Sequence, residues 1–161
     1  MSVRALFSFP NPVNEVSARL VAAGVVVLAV VTLATRQEWL LAVLAYGFVA
    51  RVATGPTLSP LGQLVTRVVT PRLGLEPRYA PGPPKRFAQA VGAAFSATAA
   101  VLALGLGYDT TPYLLIGVVA VFAFLEAAVG LCVGCKVFAL LMRTGILPES
   151  VCRECTNVWG V

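Results

Sequence analysis

The stretch 113–136, YLLIGVVAVFAFLEAAVGLCVGCK, runs for twenty-three residues before Lys136 with a single formal charge, Glu126. A helix needs about twenty apolar residues to cross a hydrocarbon core roughly 30 Å thick. The run therefore reads as a membrane span from Tyr113 to Cys132, with Cys135 just beyond the boundary. Glu126 lies thirteen residues into it, about 20 Å along at 1.5 Å per residue. Gly130 and Gly134 bracket Cys132, so the backbone is free to loosen there. Lys136 then opens a short apolar stretch, Val137 to Met142, which Arg143-Thr144-Gly145 ends with a basic turn and a helix-stopping glycine. That stretch is expected to form a short interfacial helix.

Three more apolar runs precede this one. Val16 to Ala34 follows Asn11-Pro12, a cap-like residue before a proline suited to a first helical turn. After Arg36-Gln37-Glu38 comes Trp39 to Ala53, which makes a tight helical hairpin with the first run. Its fifteen residues reach only about 22 Å, so it must borrow flanking residues or tilt little. Phe87 to Leu106 carries Gly92, Ser96 and Ala100 at four-residue spacing, small residues that let helix backbones approach, and is expected at the centre of the bundle. Gly107 to Thr111 makes the next turn, with Thr111-Pro112 as an N-cap and first helical residue.

The composition agrees: 58% hydrophobic and 12% charged over 161 residues, with a mean hydropathy of +0.87, is far outside the soluble range. The expected fold is all-α, a polytopic four-transmembrane-helix bundle with spans at about 16–34, 39–53, 87–106 and 113–132. Residues 1–147 form the membrane domain and 148–161 a cysteine-bearing tail. No room remains for a separate enzyme domain. In the long connection from Thr54 to Arg86, the segment Leu61 to Leu73 places Leu61, Leu64, Val65, Val68 and Val69 at helical spacing, as in an amphipathic helix on a membrane surface.

The net charge of +5 is better explained by topology than by nucleic acid. Outside the spans, Arg4, Arg67, Arg72, Arg78, Lys85, Arg86, Lys136, Arg143 and Arg153 fall on one side, against Arg36 on the other. By the positive-inside rule both termini face the cytoplasm of the cell membrane. No small-residue cleavage pattern follows the first apolar run, so a signal peptide is not expected.

Gly55-Pro56 with Ser59-Pro60-Leu61, then Pro84-Lys85-Arg86-Phe87-Ala88, then Leu131-Cys132-Val133-Gly134-Cys135-Lys136 resemble, in that order, the bacterial membrane family of domain of unknown function 4395. The resemblance covers Asn11 to about Leu147. It implies an integral membrane protein and carries no activity.

Chemistry is expected at the four cysteines, since the chain has no histidine and so lacks the commonest general base. Cys132, Cys135, Cys152 and Cys155 form the pattern C-x2-C-x16-C-x2-C. It contains two dithiol redox motifs and also falls within the spacing of four-thiolate zinc sites. A closed four-cysteine zinc site is structural, so that alternative is a membrane scaffold without turnover. The redox reading makes the protein a thiol-disulfide or sulfur-relay component, partnered by a thioredoxin-like or sulfurtransferase protein. It has one structural condition. On a continuous fourth helix, Cys132 and Cys135 would sit at the C-terminal end, where the helix dipole opposes a thiolate; an attacking thiol needs the helix to break near Gly130 and restart. Soft-metal transport is a third reading, weakened because no cysteine lies deep in a span.

Charges within spans require partners. Arg51 lies about 18 Å along its run, a depth matching Glu126, so an intramembrane ion pair of Arg51 with Glu126 is expected, with Arg19 as the competitor. Glu15 and Arg19, four apart, are expected to pair on a helix surface. Around the helix Cys135 is roughly 180° from Glu126 and Cys132 roughly 120°, which argues against Glu126 as a proton relay to the thiols.

Overall fold

In a computed structural model, residue 7, residues 9–152 and residue 155 are described. Arg4 and Arg153, counted in the charge balance above, lie outside the described residues. The chain is mostly helical. Helix α1 (Glu15–Thr35) and helix α2 (Glu38–Thr54) form the expected hairpin, turned by Arg36 in the left-handed region at φ 52°. The long connection contains α3 (Pro60–Leu64), a π-helical turn (Val65–Val69) and α4 (Thr70–Leu73). Helices α5 (Gly82–Leu104), α6 (Thr111–Val129) and α7 (Val133–Arg143) follow, then a 3-10 turn at Glu149–Val151.

Three of these helices, α1, α5 and α6, are long and apolar enough to cross a membrane. With 17 residues, α2 is shorter. Helix α2 packs against α5, α5 against α6, and α6 against α1, while α7 lies across α5. The core joins Val25 and Ala29 of α1 with Leu41, Leu44 and Phe48 of α2, Ala99 and Ala103 of α5, and Ile116 and Val119 of α6. Outward positions are also apolar: Val27, Val30, Val43, Val101, Leu114 and Phe124 are exposed. In water such a surface would be an aggregation liability; in lipid it is the expected exterior. At the small-residue stripe it is a side chain rather than a helix backbone that comes close: the Phe48 ring occupies the space a side chain at Gly92 would need. Ser96, fully buried, returns its hydroxyl proton to the Gly92 carbonyl at 2.7 Å.

Several helix starts differ from the sequence expectation, α6 among them, since Thr111 is its first residue and Thr110 its N-cap. Helix α1 is capped by Asn14, whose Oδ1 accepts from Val16 N–H at 3.0 Å, rather than by Asn11. Asn11 Oδ1 instead accepts from Gly82 N–H at 2.9 Å, at the first residue of α5. The segment before α1 is held there by a two-residue antiparallel ladder, β1 (Val13–Asn14) with β2 (Tyr79–Ala80). Helix α5 begins five residues before Phe87. Pro83 and Pro84 fall in its first turn, where the N–H groups they lack would have no helical acceptor.

The expected helix over Leu61 to Leu73 is present as a continuous helical run from Pro60 to Leu73, but it contains a π-bulge and its apolar side does not all face one way. Pro71 offers no N–H to continue the ladder, and the turn before it widens, with Thr70 N–H bonding to Val65 O. Leu61 abuts Gly24 of α1 and Val65 is buried, whereas Leu64 and Leu73 are exposed. The apolar face is thus divided between the bundle and the outside. Ser17 and Thr70 hydroxyls meet at 3.0 Å and tie the segment to α1.

Candidate thiol site

Helix α6 ends at Val129. Gly130 adopts φ 75°, a conformation that costs glycine least, and its N–H bonds to Glu126 O at 3.1 Å. The last carbonyls are closed from across the bundle, where Arg19 donates to Ala127 O and Ala128 O, each at 3.1 Å from Nη2. A guanidinium at a helix C-terminus meets the negative end of the dipole. This is where Arg19 goes instead of pairing with Glu15.

The chain then turns through Leu131 and restarts. Cys132 is the N-cap of α7, in extended conformation, and its carbonyl accepts from Lys136 N–H at 3.1 Å. The expected interfacial helix therefore begins earlier than Val137 and contains Cys135 in its first turn. The condition set by the redox reading is met: the pair lies at the positive end of α7, not the negative end of α6. Gly134 serves packing rather than looseness. A Cβ there would fall 2.6 Å from Ala88 Cα, so α7 crosses α5 almost backbone to backbone within the cysteine motif.

Beside the pair lies the buried ion pair, and it differs from the expected one. Glu126 Oε1 accepts from Lys85 Nζ at 2.7 Å, with side chains 13% and 8% exposed. Arg51 makes other bonds: its Nε donates to Gln89 Oε1 at 2.9 Å, its Nη1 to Ser59 Oγ at 3.3 Å, and its guanidinium lies over the Phe48 ring at 4.6 Å. The early start of α5 explains the exchange. It draws Lys85 into the bundle, one turn before Gln89 on the same face, and the ammonium takes the carboxylate at closer range. Sequence reasoning treated Lys85 as a loop cation because the two prolines looked like connection; their fitness for a first turn, and the four-residue spacing of Lys85 and Gln89, were the available signals.

Cys132 and Cys135 are free thiols, the first buried and the second half-buried. The Cys135 thiol hydrogen-bonds to the Cys132 sulfur and holds it below the ordinary thiol range; burial and Glu126 oppose this, and Lys85 assists it. Cys135 is pushed far up, first by giving that hydrogen bond and then by burial and the neighbouring Cys132 charge. The two sulfurs are thus unequal, the Cys132 thiolate being favoured and the Cys135 proton retained. Cys132 and Glu126 also line the end of one cavity of about 200 Å³.

The second pair is in another state. Cys152 and Cys155 are joined as a disulfide, both buried against Phe138 with Phe87, Met142 and Leu147 around them. The Phe87 and Phe138 rings pack at 5.6 Å between centroids. The four sulfurs do not converge on one centre. Among the described residues, no three cysteine or carboxylate side chains gather as an ion would require, and two of the four sulfurs are spent on each other. The donor set of the zinc reading is not assembled.

Three membrane-length helices around buried charges, closed at one end by a thiol-bearing helix, define a helical membrane protein. The chain belongs to the family described as Domain of unknown function (DUF4395), whose model matches residues 13–143. The match takes in Arg51, Lys85, Glu126, Cys132 and Cys135 and stops before the second pair. Comparisons with curated proteins and with solved structures give no match.

Proposed function

We propose that this protein is a four-span component of the cell membrane that exchanges thiols and disulfides at Cys132 and Cys135 with a cytoplasmic partner of thioredoxin-like or sulfurtransferase type. The observation that supports it is the helix restart at Cys132, which puts one acidic and one proton-retaining thiol at the N-terminus of α7 beside Lys85. In the exchange, the Cys132 thiolate attacks one sulfur of a partner disulfide and the other leaves as a thiolate. Cys135 then gives up its proton and attacks the Cys132 sulfur, forming the Cys132–Cys135 disulfide and releasing the partner as a dithiol. Two electrons pass from this pair to the partner, and the same steps reversed return them. With a sulfur carrier, Cys132 accepts the outer sulfur of a persulfide and the carrier leaves as a thiolate. The Cys152–Cys155 disulfide packs on Phe138 of α7 and takes no part in this exchange.

In this reading α2 is the fourth crossing, short because its end carries Arg51 into the polar layer. The segment 60–73 rests at the cytoplasmic surface with Leu64 and Leu73 toward lipid, and the excess of basic residues keeps both termini inside.

The test is a trap. Anaerobically reduced Cys135→Ser protein incubated with an oxidised thioredoxin is expected to hold it as a mixed disulfide through Cys132, while Cys132→Ser holds none. Absence of that adduct, together with one zinc per chain and thiols that react only after chelation, would overturn the proposal.

A further inference from the structure

The cavity lined by Cys132 and Glu126 lies between α1, α2, α5, α6 and α7, and its walls are mostly apolar and aromatic, Gln89 being a polar exception. Phe48, Phe87, Phe95 and Phe122 line it, and the only ionisable groups on its lining are at the thiol end. Two of its lining residues, Phe122 at 39% and Val137 at 42%, are exposed on the apolar outside of the bundle. The cavity therefore opens sideways, toward lipid, and not only toward water.

We infer that this cavity admits the ring of a lipid-soluble quinone, which takes two electrons from the Cys132–Cys135 pair. The inference rests on the thiol-exchange reading above and names what the membrane end of that exchange is for. The chemistry narrows the occupant. A water-soluble disulfide or peroxide would meet mostly apolar walls, with Gln89, Glu126 and Cys132 the few polar side chains to replace its water. An acyl chain would fill the walls but leave the thiol and carboxylate unused. A quinone has a flat apolar ring to lie among the phenylalanines, an electrophilic carbon for a thiolate, and oxygens that take up protons as electrons arrive.

The step balances with one proton from water. The Cys132 thiolate adds to a ring carbon of the quinone, forming a carbon–sulfur bond, and the ring oxygen takes that proton from water, leaving hydroxide. Cys135 then loses its proton and attacks the Cys132 sulfur. The sulfur–sulfur bond forms, the carbon–sulfur bond breaks, its electron pair stays on the ring, and the Cys135 proton goes to the second oxygen. A dithiol is oxidised to a disulfide and one quinone is reduced to one quinol.

The experiment uses the full chain in lipid nanodiscs, reduced and free of oxygen, with a short-tailed ubiquinone or menaquinone. Quinol formation is followed by absorbance and thiol loss by mass spectrometry. One quinone consumed per two thiols lost is expected, with at least tenfold slowing in Cys132→Ser and Cys135→Ser. Val137→Trp, at an exposed position, and Ala123→Phe, within the cavity, are expected to slow quinone at least tenfold while the Cys132–Cys135 pair still reduces oxidised thioredoxin. Quinone left unreduced by protein that does reduce thioredoxin would overturn the inference and leave the exchange function standing. Equal quinone reduction in wild type and both blocking variants would overturn it too, because the reaction would then lie outside the cavity. Thiols inert to both reagents would remove both readings.

Discussion

Lys85 Nζ donates to Glu126 Oε1 at 2.7 Å, joining the first turn of α5 to the last turns of α6 directly beside the free thiols. Removing one partner of a buried pair leaves the other charge uncompensated, a cost of about 3–5 kcal/mol. Lys85→Met or Glu126→Leu alone should therefore lower the unfolding midpoint in detergent sharply. The double variant Lys85→Met/Glu126→Leu should recover most of the loss, because neither charge then remains. Exchange of Arg51 and Glu126 should give no recovery, since Arg51 is bound to Gln89 and Ser59. Recovery by that exchange would show that the carboxylate belongs to Arg51.

The two free thiols should titrate apart. Alkylation of Cys132 should persist to lower pH than that of an ordinary cysteine, because its thiolate is favoured by the Cys135 hydrogen bond. Cys135 should stay unreactive until well above that range. Lys85→Met removes a cation that favours the thiolate and should move the Cys132 profile upward. Glu126→Gln removes an anion that opposes it and should move the profile downward. Iodoacetamide rates against pH, read peptide by peptide, check both signs; identical profiles for the two cysteines would contradict the assigned roles.

Gly134 should tolerate nothing larger than glycine. Gly134→Val places branched carbon where Ala88 backbone lies, so α7 must lift from α5, at a cost of about 1–3 kcal/mol for overpacking. The separated thiol helix should also lose the depressed titration of Cys132, even if the protein remains folded. Gly134→Val protein with unchanged melting and an unchanged profile would mean that α7 and α5 do not cross there.

Thiol counting distinguishes the pairs. Native protein purified without reductant should offer two titratable thiols, and four after denaturation in reductant, as the Cys152–Cys155 disulfide opens. Cys152→Ser/Cys155→Ser should keep the Cys132 profile while exposing Phe138 to proteolysis nearby.

Three of the four expected spans were legible because helices of nineteen to twenty-three mostly apolar residues allow few other fates. The helix break was legible as a condition, since Gly130 is a residue on which helices end. Matching depths along two spans pointed Arg51 at Glu126, but depth fixes only one coordinate. The azimuth and the nearest competing cation depend on where α5 starts, and proline in a first turn looks like a loop when read residue by residue. The state of the second pair was not legible either: a CxxC suits a metal, a dithiol or a disulfide equally until packing around Phe138 decides what the tail can reach.

The Gly134 crossing settles who travels. With no side chain between α7 and α5 at Gly134, the thiol helix is packed directly on α5, and Cys132 is held at that crossing. On the proposed exchange, a cytoplasmic partner and a lipid-borne carrier would both have to travel to Cys132. The protein would then be a fixed berth at which mobile molecules take turns.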